Sequence, residues 1–249
     1  MDTASPQPKV VRPYAQSADG KKQQVARMFN SIAHRYDLLN HSLSLGTDII
    51  WRKKAIACLR PMAPKQILDV ATGTGDLAIE ALTLDPEKVI GIDISEGMLE
   101  LGRKKVTARG LDSRVQLLSG DSEALPFADA SFDAVTVAFG VRNFEDLHRG
   151  LCEMRRVLRP GGMMVVLEFS RPTVFPVKQL YWFYFDRLLP LFGKLVSNDD
   201  SAYAYLPESV RNFPDGDVFK NEMLKAGFAR CSARQLTFGI ATIYTGTAD

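Results

Sequence analysis

Between Lys65 and Ser170 short apolar runs alternate with amphipathic stretches, and this rhythm constrains the fold more than any other feature of the chain. QILDVA (66–71), KVIGID (88–93), VQLLSG (115–120), FDAVTVAFG (132–140) and GMMVVLEFS (162–170) read as strands. GDLAIEALTL, SEGMLELGRKKVTARG and FEDLHRGLCEMRRVL (144–158) read as the helices between them. Ser95 is a natural N-cap with Glu96 in the first turn, and Pro160 with Gly161 stops the third helix. Strands joined through helices run parallel, and a parallel sheet needs helices on both faces. The expected fold is α/β and Rossmann-like: a seven-stranded, mostly parallel sheet ending in an antiparallel hairpin, with helices on both faces.

The flanks read differently. Residues 1–20 hold three prolines and few large apolar side chains, which predicts a flexible arm. Residues 21–60 are helical in pattern, with Val25, Met28, Phe29 and Ile32 at helical spacing and a turn-like NHSLSLGTD in between. The stretch 171–215 is expected as an aromatic insertion over a 65–170 core. Residues 216–249 supply a helix (VFKNEMLKAGF) and a terminal hairpin with a Phe-Gly turn. Residues 21–249 are thus expected to form one domain.

Composition removes several classes of function. The chain carries 31 basic and 29 acidic side chains, a net charge of +2, without the basic excess of a nucleic-acid binder. Cys58, Cys152 and Cys231 are odd in number and widely spaced, which predicts reduced thiols rather than a disulfide framework. His34, His41 and His148 are scattered, so no metal is expected. No stretch holds eighteen charge-free apolar residues, and the polar N-terminal segment does not look like a signal peptide. A cytoplasmic protein is the expectation.

The sharpest local signal is LDVATGTGDLA (68–78), a strand running through a glycine turn into a helix. Gly73 and Gly75 let backbone approach a ligand, and the helix start offers free N–H groups and a positive dipole end. Asp93 ends the next strand eighteen residues after Gly75, near the spacing at which an acid meets a ribose. Gly73-x-Gly75-x-x-Ala78 also fits a nicotinamide-dinucleotide fingerprint, so that class remains a rival at this point. Asp69, four residues before Gly73, disfavours a pyrophosphate and suits an ammonium group. Asp121 and Ser122 follow the third strand, placed to meet an adenine edge. An ammonium, a ribose and an adenine together describe S-adenosylmethionine.

This arrangement resembles the class I S-adenosylmethionine-dependent methyltransferases. The resemblance implies that Asp69, Thr72, Gly73, Thr74 and Gly75 surround the methionine and ribose end. It implies further that Asp93 takes the ribose hydroxyls and that Asp121 and Ser122 take the adenine. RYDLLNHSLSLGTDIIW (35–51) and RRVLRPGGMMVVLEFS (155–170) are similar to the two signatures of the ubiquinone/menaquinone biosynthesis C-methyltransferases. EALPF (123–127) and FGVRN (139–143) match that family too, and the resemblance spans about residues 21 to 247. Ala138 stands where some relatives carry Ser, leaving only a backbone contact to the cofactor there. The asparagine-proline-proline-aromatic tetrad of nucleic-acid amine methylases is absent.

The implied reaction is methylation of a ring carbon of a polyprenyl quinol, demethylmenaquinol first and a ubiquinone precursor second. Other small-molecule methyltransferases, and an inactive cofactor-binding partner of a quinone-synthesising assembly, are the remaining readings. A phenol of pKa about 10 sits three units from its anion at pH 7, worth roughly 4 kcal/mol. Arg142 is the expected electrostatic activator of that phenol and Asn143 the residue that positions the ring oxygen. Tyr36 and Asp37 are candidates for closing the site, and His34 is a candidate base. In 177–196, Leu180, Phe183, Tyr184, Leu188, Leu191, Phe192 and Leu195 trace one helical face, with Trp182 and Phe185 largely outside it. Trp182, Phe185 and Phe139 are therefore expected at the substrate and lid, touching a prenyl tail or a bilayer surface. Oligomerisation is left open.

Overall fold

A computed structural model describes residues 11–44, 46–188 and 201–249. The strands are β1 (Gln66–Val70), β2 (Lys88–Asp93), β3 (Val115–Ser119), β4 (Phe132–Ala138), β5 (Leu158–Phe169), β6 (Ala229–Leu236) and β7 (Ala241–Thr247). They lie in the order β3-β2-β1-β4-β5-β7-β6, and only β7 runs against its neighbours. The sheet is the one expected. The order reverses between β1 and β4, which pair in parallel from Ile67↔Ala134 to Val70↔Val137. In such sheets ligands bind beyond the C-terminal ends of the strands at that reversal.

The helices are α1 (Lys21–Leu43), α2 (Thr47–Ala57), α3 (Asp76–Ala81), α4 (Glu96–Ala108), α5 (Leu147–Val157), α6 (Val177–Phe183), α7 (Ser201–Asn212) and α8 (Asp217–Lys225). Strand alternation sorts the core into two layers. Leu68, Val70, Val135, Val137, Met164 and Val166 face α5 and α8, meeting Leu151, Met154, Phe219 and Met223. Ile67, Ala134, Val165 and Leu167 face the other way, onto Ile56, Leu77 and Leu99 of α2, α3 and α4. Ser95 caps α4 by accepting from the Met98 N–H, as expected.

A third, smaller core holds Val11, Val25, Met28, Tyr181, Phe185, Tyr205 and Val210. It joins α1, α6 and α7 into a roof whose side chains also meet Phe169, at the C-terminal end of β5.

Four boundaries differ from the sequence expectation. The expected flexible arm is held down from Val11 onward: Val11 is buried, Gln24 Oε1 accepts from the Tyr14 N–H at 2.9 Å, and Arg27 lies 4.0 Å over the Tyr14 ring. Residues 1–10 lie outside the described residues. Helix α1 continues through Asn40 to Leu43, because Asn and His still propagate a helix when one is already running. The helix expected over 144–158 starts only at Leu147, where the Asp146 carboxylate caps it by accepting from the Arg149 N–H. β5 then begins at Leu158, before the Pro-Gly pair, and a register shift opposite Phe132 and Ala134 absorbs it.

Candidate active site at the sheet reversal

β1 leaves the sheet at Val70, and the chain turns through Ala71 and Gly73, both with positive φ (53° and 55°), before Gly75 opens α3. The turn lies flat on β2 because Gly91 has no side chain: a Cβ there would stand 2.7 Å from Thr72 Oγ1. The Gly73 N–H donates to Asp93 Oδ2 and the Ser95 N–H to Asp93 Oδ1, each at 2.8 Å. Two backbone donors thus hold the Asp93 carboxylate at the end of β2 with lone pairs left over. Burial pushes its pKa above the ordinary carboxylate value, against those hydrogen bonds.

A solvent-open cleft lies over this turn. Of the expected site residues, Gly73, Asp93, Asp121, Ser122, Ala138 and Asn143 line it, with Phe139 and, from α1, Tyr36. Tyr36 stands edge-on to Phe29, their rings 5.7 Å apart. The side chain of Asp37 lies outside the described residues.

Other expected residues are not on that wall. Asp69 is buried beneath the turn, where its two oxygens accept from Thr72 Oγ1 at 2.6 Å and Thr136 Oγ1 at 2.8 Å. The expected contact between Asp69 and a ligand ammonium is therefore corrected: this carboxylate shapes the turn from below. Thr74 is buried and takes Lys105 Nζ at 3.1 Å, and Gly75 serves as the left-handed start of α3. His34 is exposed on α1 near Glu100 of α4, off the cleft wall, which removes its expected role as base.

Asp69 has a measurable consequence. Burial, aided by the nearby Asp93 charge, lifts its pKa to about 6 from 3.8 against the two threonine hydroxyls. The folded state keeps this proton to higher pH than the unfolded chain, so stability falls as pH rises from about 4 to about 6. A shift of this size costs of order 3 kcal/mol above that window. Asp69→Asn removes the charge and is expected to melt above the unliganded wild type at pH 7.5, the difference shrinking as pH falls from about 6 to about 4. A difference that stays flat across that range in thermal denaturation would contradict the buried-charge account.

Two lysines that sequence reasoning passed over tie α1 to the site. Lys22 Nζ reaches Asp121 Oδ2 at 2.6 Å and Glu123 Oε2 at 3.1 Å. The Glu123 N–H occupies Asp121 Oδ1 at 2.9 Å. Each carboxylate oxygen has a second acceptor position, which leaves room for an exocyclic amine. Lys21 Nζ donates to the carbonyls of Arg142 at 3.0 Å and Phe144 at 2.7 Å, and burial pushes its pKa down to about 8. Both lysines precede the periodic part of the helix, so apolar spacing carries no sign of them.

The loop after β4 is held by a buried ion pair. Arg142 Nη1 meets Glu168 Oε1 at 2.7 Å and also donates to the Phe139 carbonyl. Glu168 is wholly buried, which raises its pKa, and Arg142 works against that rise. The Arg142 guanidinium lies 5.5 Å over the Phe169 ring. Glu168 thus offsets the charge of Arg142, the expected electrostatic activator, and the Arg142 Nε–H is the group without a hydrogen-bond partner. A lone carboxylate in the apolar run MMVVLEFS was the sign that could have exposed Glu168, because an unpaired buried charge is not tolerated.

From Phe139 an aromatic file runs outward. Phe139 and Phe169 are 4.6 Å apart, Phe169 and Phe185 6.4 Å, Phe185 and Tyr181 4.3 Å. Phe185 is buried and Trp182 half-buried under the Arg211 guanidinium at 4.4 Å. The expected helical face is therefore corrected: α6 turns Tyr181 inward and leaves Leu180 and Phe183 exposed, at 64% and 58%. Leu191, Phe192 and Leu195 lie outside the described residues.

Comparison with known proteins places this site in a family. The demethylmenaquinone methyltransferase of Bacteroides fragilis is 54% identical over 244 residues, covering 97% of this chain and 98% of the relative. That of Thermus thermophilus is 49% identical over 220 residues, 88% of this chain and 99% of the relative. A Thermotoga maritima structure described as an S-adenosylmethionine-dependent methyltransferase, possibly acting on histamine, superposes with a TM-score of 0.63. It is 21% identical and covers 90% of this chain and 99% of its own, a likeness of fold alone. The nicotinamide alternative falls with these matches. Residues 17–248 match the model of the ubiE/COQ5 methyltransferase family, and the chain belongs to that family.

Proposed function

We propose that this enzyme methylates the ring carbon of demethylmenaquinol that lies next to a hydroxyl, with S-adenosylmethionine as donor. The observation that carries this reading is the end-to-end 54% identity to a protein named demethylmenaquinone methyltransferase. The residues fit the donor: the cleft stands at the sheet reversal, and Asp93, Asp121 and Ser122 line it, the groups this reading assigns to the ribose hydroxyls and the adenine. S-adenosylmethionine supplies a sulfonium methyl that is already strongly electrophilic.

The protein's part is to ready the nucleophile. Asn143 lines the cleft at the end of β4, and its side-chain Oδ1 has no partner among the described residues. It orients a ring hydroxyl by accepting from it. Arg142 itself is not on the cleft wall; its buried Nε–H is the donor we assign to the oxygen that becomes anionic, where the low dielectric strengthens the bond. Because Glu168 balances the guanidinium, the pair stabilises the phenolate by directed donors more than by net charge.

The tail of such a quinol resides in the bilayer. No described helix is long and apolar enough to cross a membrane. Phe175, Leu180 and Phe183 are exposed at 76%, 64% and 58%, and Lys178 and Arg187 stand exposed among them. These side chains form the proposed lipid-facing contact, in place of Trp182 and Phe185. Phe175→Glu combined with Phe183→Glu is expected to cut partition onto anionic-lipid vesicles at least tenfold in a flotation assay, with cofactor affinity intact. Unchanged partition would discard the contact.

The direct test of the reaction is incubation with methyl-labelled S-adenosylmethionine and reduced demethylmenaquinone, with a ubiquinone precursor in a parallel arm. Label at the ring carbon of the extracted naphthoquinone establishes the activity. Label only in the benzoquinone arm moves the acceptor to the ubiquinone precursor.

A further inference from the structure

Among the described residues, four buried side-chain polar atoms have no hydrogen-bond partner: Arg142 Nε, Asn143 Oδ1 and the hydroxyls of Tyr181 and Tyr205. Native interiors rarely leave such groups unpaired, and these four are not scattered. Tyr181 on α6 and Tyr205 on α7 share the roof core, 6% and 4% exposed. Helix α7 packs against the 141–143 turn that carries Arg142 and Asn143. Both tyrosines lie within electrostatic reach of the Arg142–Glu168 pair. The Phe185 ring stacked on Tyr181 leads through Phe169 to Phe139 on the cleft wall.

These groups share a chemistry. Arg142 Nε–H donates, Asn143 Oδ1 accepts, and a hydroxyl does either. Burial raises the pKa of both tyrosines well beyond the ordinary phenol value, so each stays a neutral donor at every working pH. Beside them the Phe169 and Phe185 rings meet edge-on, 6.4 Å apart. A flat ring carrying oxygen substituents satisfies such a set.

We propose that Tyr181 and Tyr205 bind the acceptor: with Arg142 Nε–H, their hydroxyls receive the quinol oxygen beside the carbon that is methylated. This deepens the demethylmenaquinol reading and rests on it. The roof is closed over these groups, so the ring is admitted when α7 parts from the 141–143 turn. Three donors on one oxygen favour its anion and lower the phenol pKa. The phenolate carbon takes the methyl as the carbon–sulfur bond breaks, giving a dienone; loss of its ring proton restores the aromatic phenolate, which regains the proton it first gave up, so one proton leaves to solvent overall.

Tyr181→Phe and Tyr205→Phe each delete one hydroxyl and little else. Loss of an unpaired buried hydroxyl is neutral or stabilising, so melting temperature and S-adenosylmethionine affinity stay at or above wild type. For each variant, kcat/KM for demethylmenaquinol is expected to fall at least tenfold. The acid limb of its pH profile moves up by about one unit as the phenol loses a donor. A double Phe variant with wild-type kcat/KM and an unmoved acid limb overturns the proposal, as does a loss confined to stability. If the wild type itself leaves demethylmenaquinol unmethylated in the same assay, the acceptor reading fails separately. The tyrosines are then judged by equilibrium titration of 1,4-naphthoquinol, followed by tryptophan fluorescence. Binding that weakens at least tenfold in the double variant supports the seat, and equal or absent binding overturns it.

Discussion

Asp93→Ala is expected to weaken S-adenosylmethionine binding by about 10²–10⁴, since two hydrogen bonds to a charged acceptor are worth roughly 3–6 kcal/mol. The argument is geometric. The Gly73 and Ser95 amides hold the carboxylate from behind, each at 2.8 Å, and the cleft lies on its open side. Removal also strands those two amides, so the unliganded variant should melt lower, at roughly 1–3 kcal/mol for each unpaired N–H. Titration calorimetry on folded protein separates the two effects. The pKa of Asp93 sits above the ordinary carboxylate value, so cofactor affinity in the wild type should begin to fall at a higher pH than an exposed aspartate would allow. A Kd within fivefold of wild type for Asp93→Ala would move the ribose contact elsewhere.

The second large effect belongs to the Arg142–Glu168 pair. Glu168→Ala leaves Arg142 buried without its counter-charge, which typically costs about 3–5 kcal/mol. For a chain of this length that corresponds to a fall in Tm of roughly 6–20 °C. Replacing both partners with methionine removes the charge problem and should recover most of that stability. It should not recover turnover: loss of one preorganised donor to a developing oxyanion usually lowers kcat by about 10²–10³. The stability and activity of the double variant therefore part company if Arg142 touches the acceptor. Wild-type turnover in Arg142→Met/Glu168→Met would reduce the pair to a brace for the loop after β4. Arg142→Lys is the sharper chemical control, because it keeps a cation and loses the Nε–H.

The structure also shows how one helix reaches the whole site. Lys21 and Lys22 are adjacent, yet one binds the loop carrying Arg142 and the other the aspartate after β3. Helix α1 thus spans both halves of the cleft, while its Tyr36 and Phe29 supply part of the wall. A movement of α1 would release the two halves together.

Legibility differed by the range of the interaction involved. The strand runs were readable because burial on both faces demands apolar residues at nearly every position, as in QILDV and FDAVTVA. The turn was readable because positive φ at Gly73 and Gly75 favours glycine there, and Asp93 follows at a spacing set by one β-α-β unit. These constraints act within about thirty residues of chain, so the sequence by itself determined the sheet, the cleft position and the place of Asp93 on its wall.

What lay beyond reach depended on contacts between distant segments. Glu168 is 26 residues from Arg142, and Lys22 is 99 from Asp121. No local periodicity encodes either pair. Asp69 was placed on the correct turn but on the wrong side of it, because its orientation follows from Thr136 on the neighbouring strand, 67 residues away. The α6 face was misread for the same reason. Helical spacing says which residues lie together, not which side meets Phe169, and in a helix apolar all round only the packing partner decides what is buried. Tertiary structure alone brought Tyr181, Tyr205, Arg142 and Asn143 to one place, since their unsatisfied polar atoms become recognisable only when the surrounding chain has excluded water.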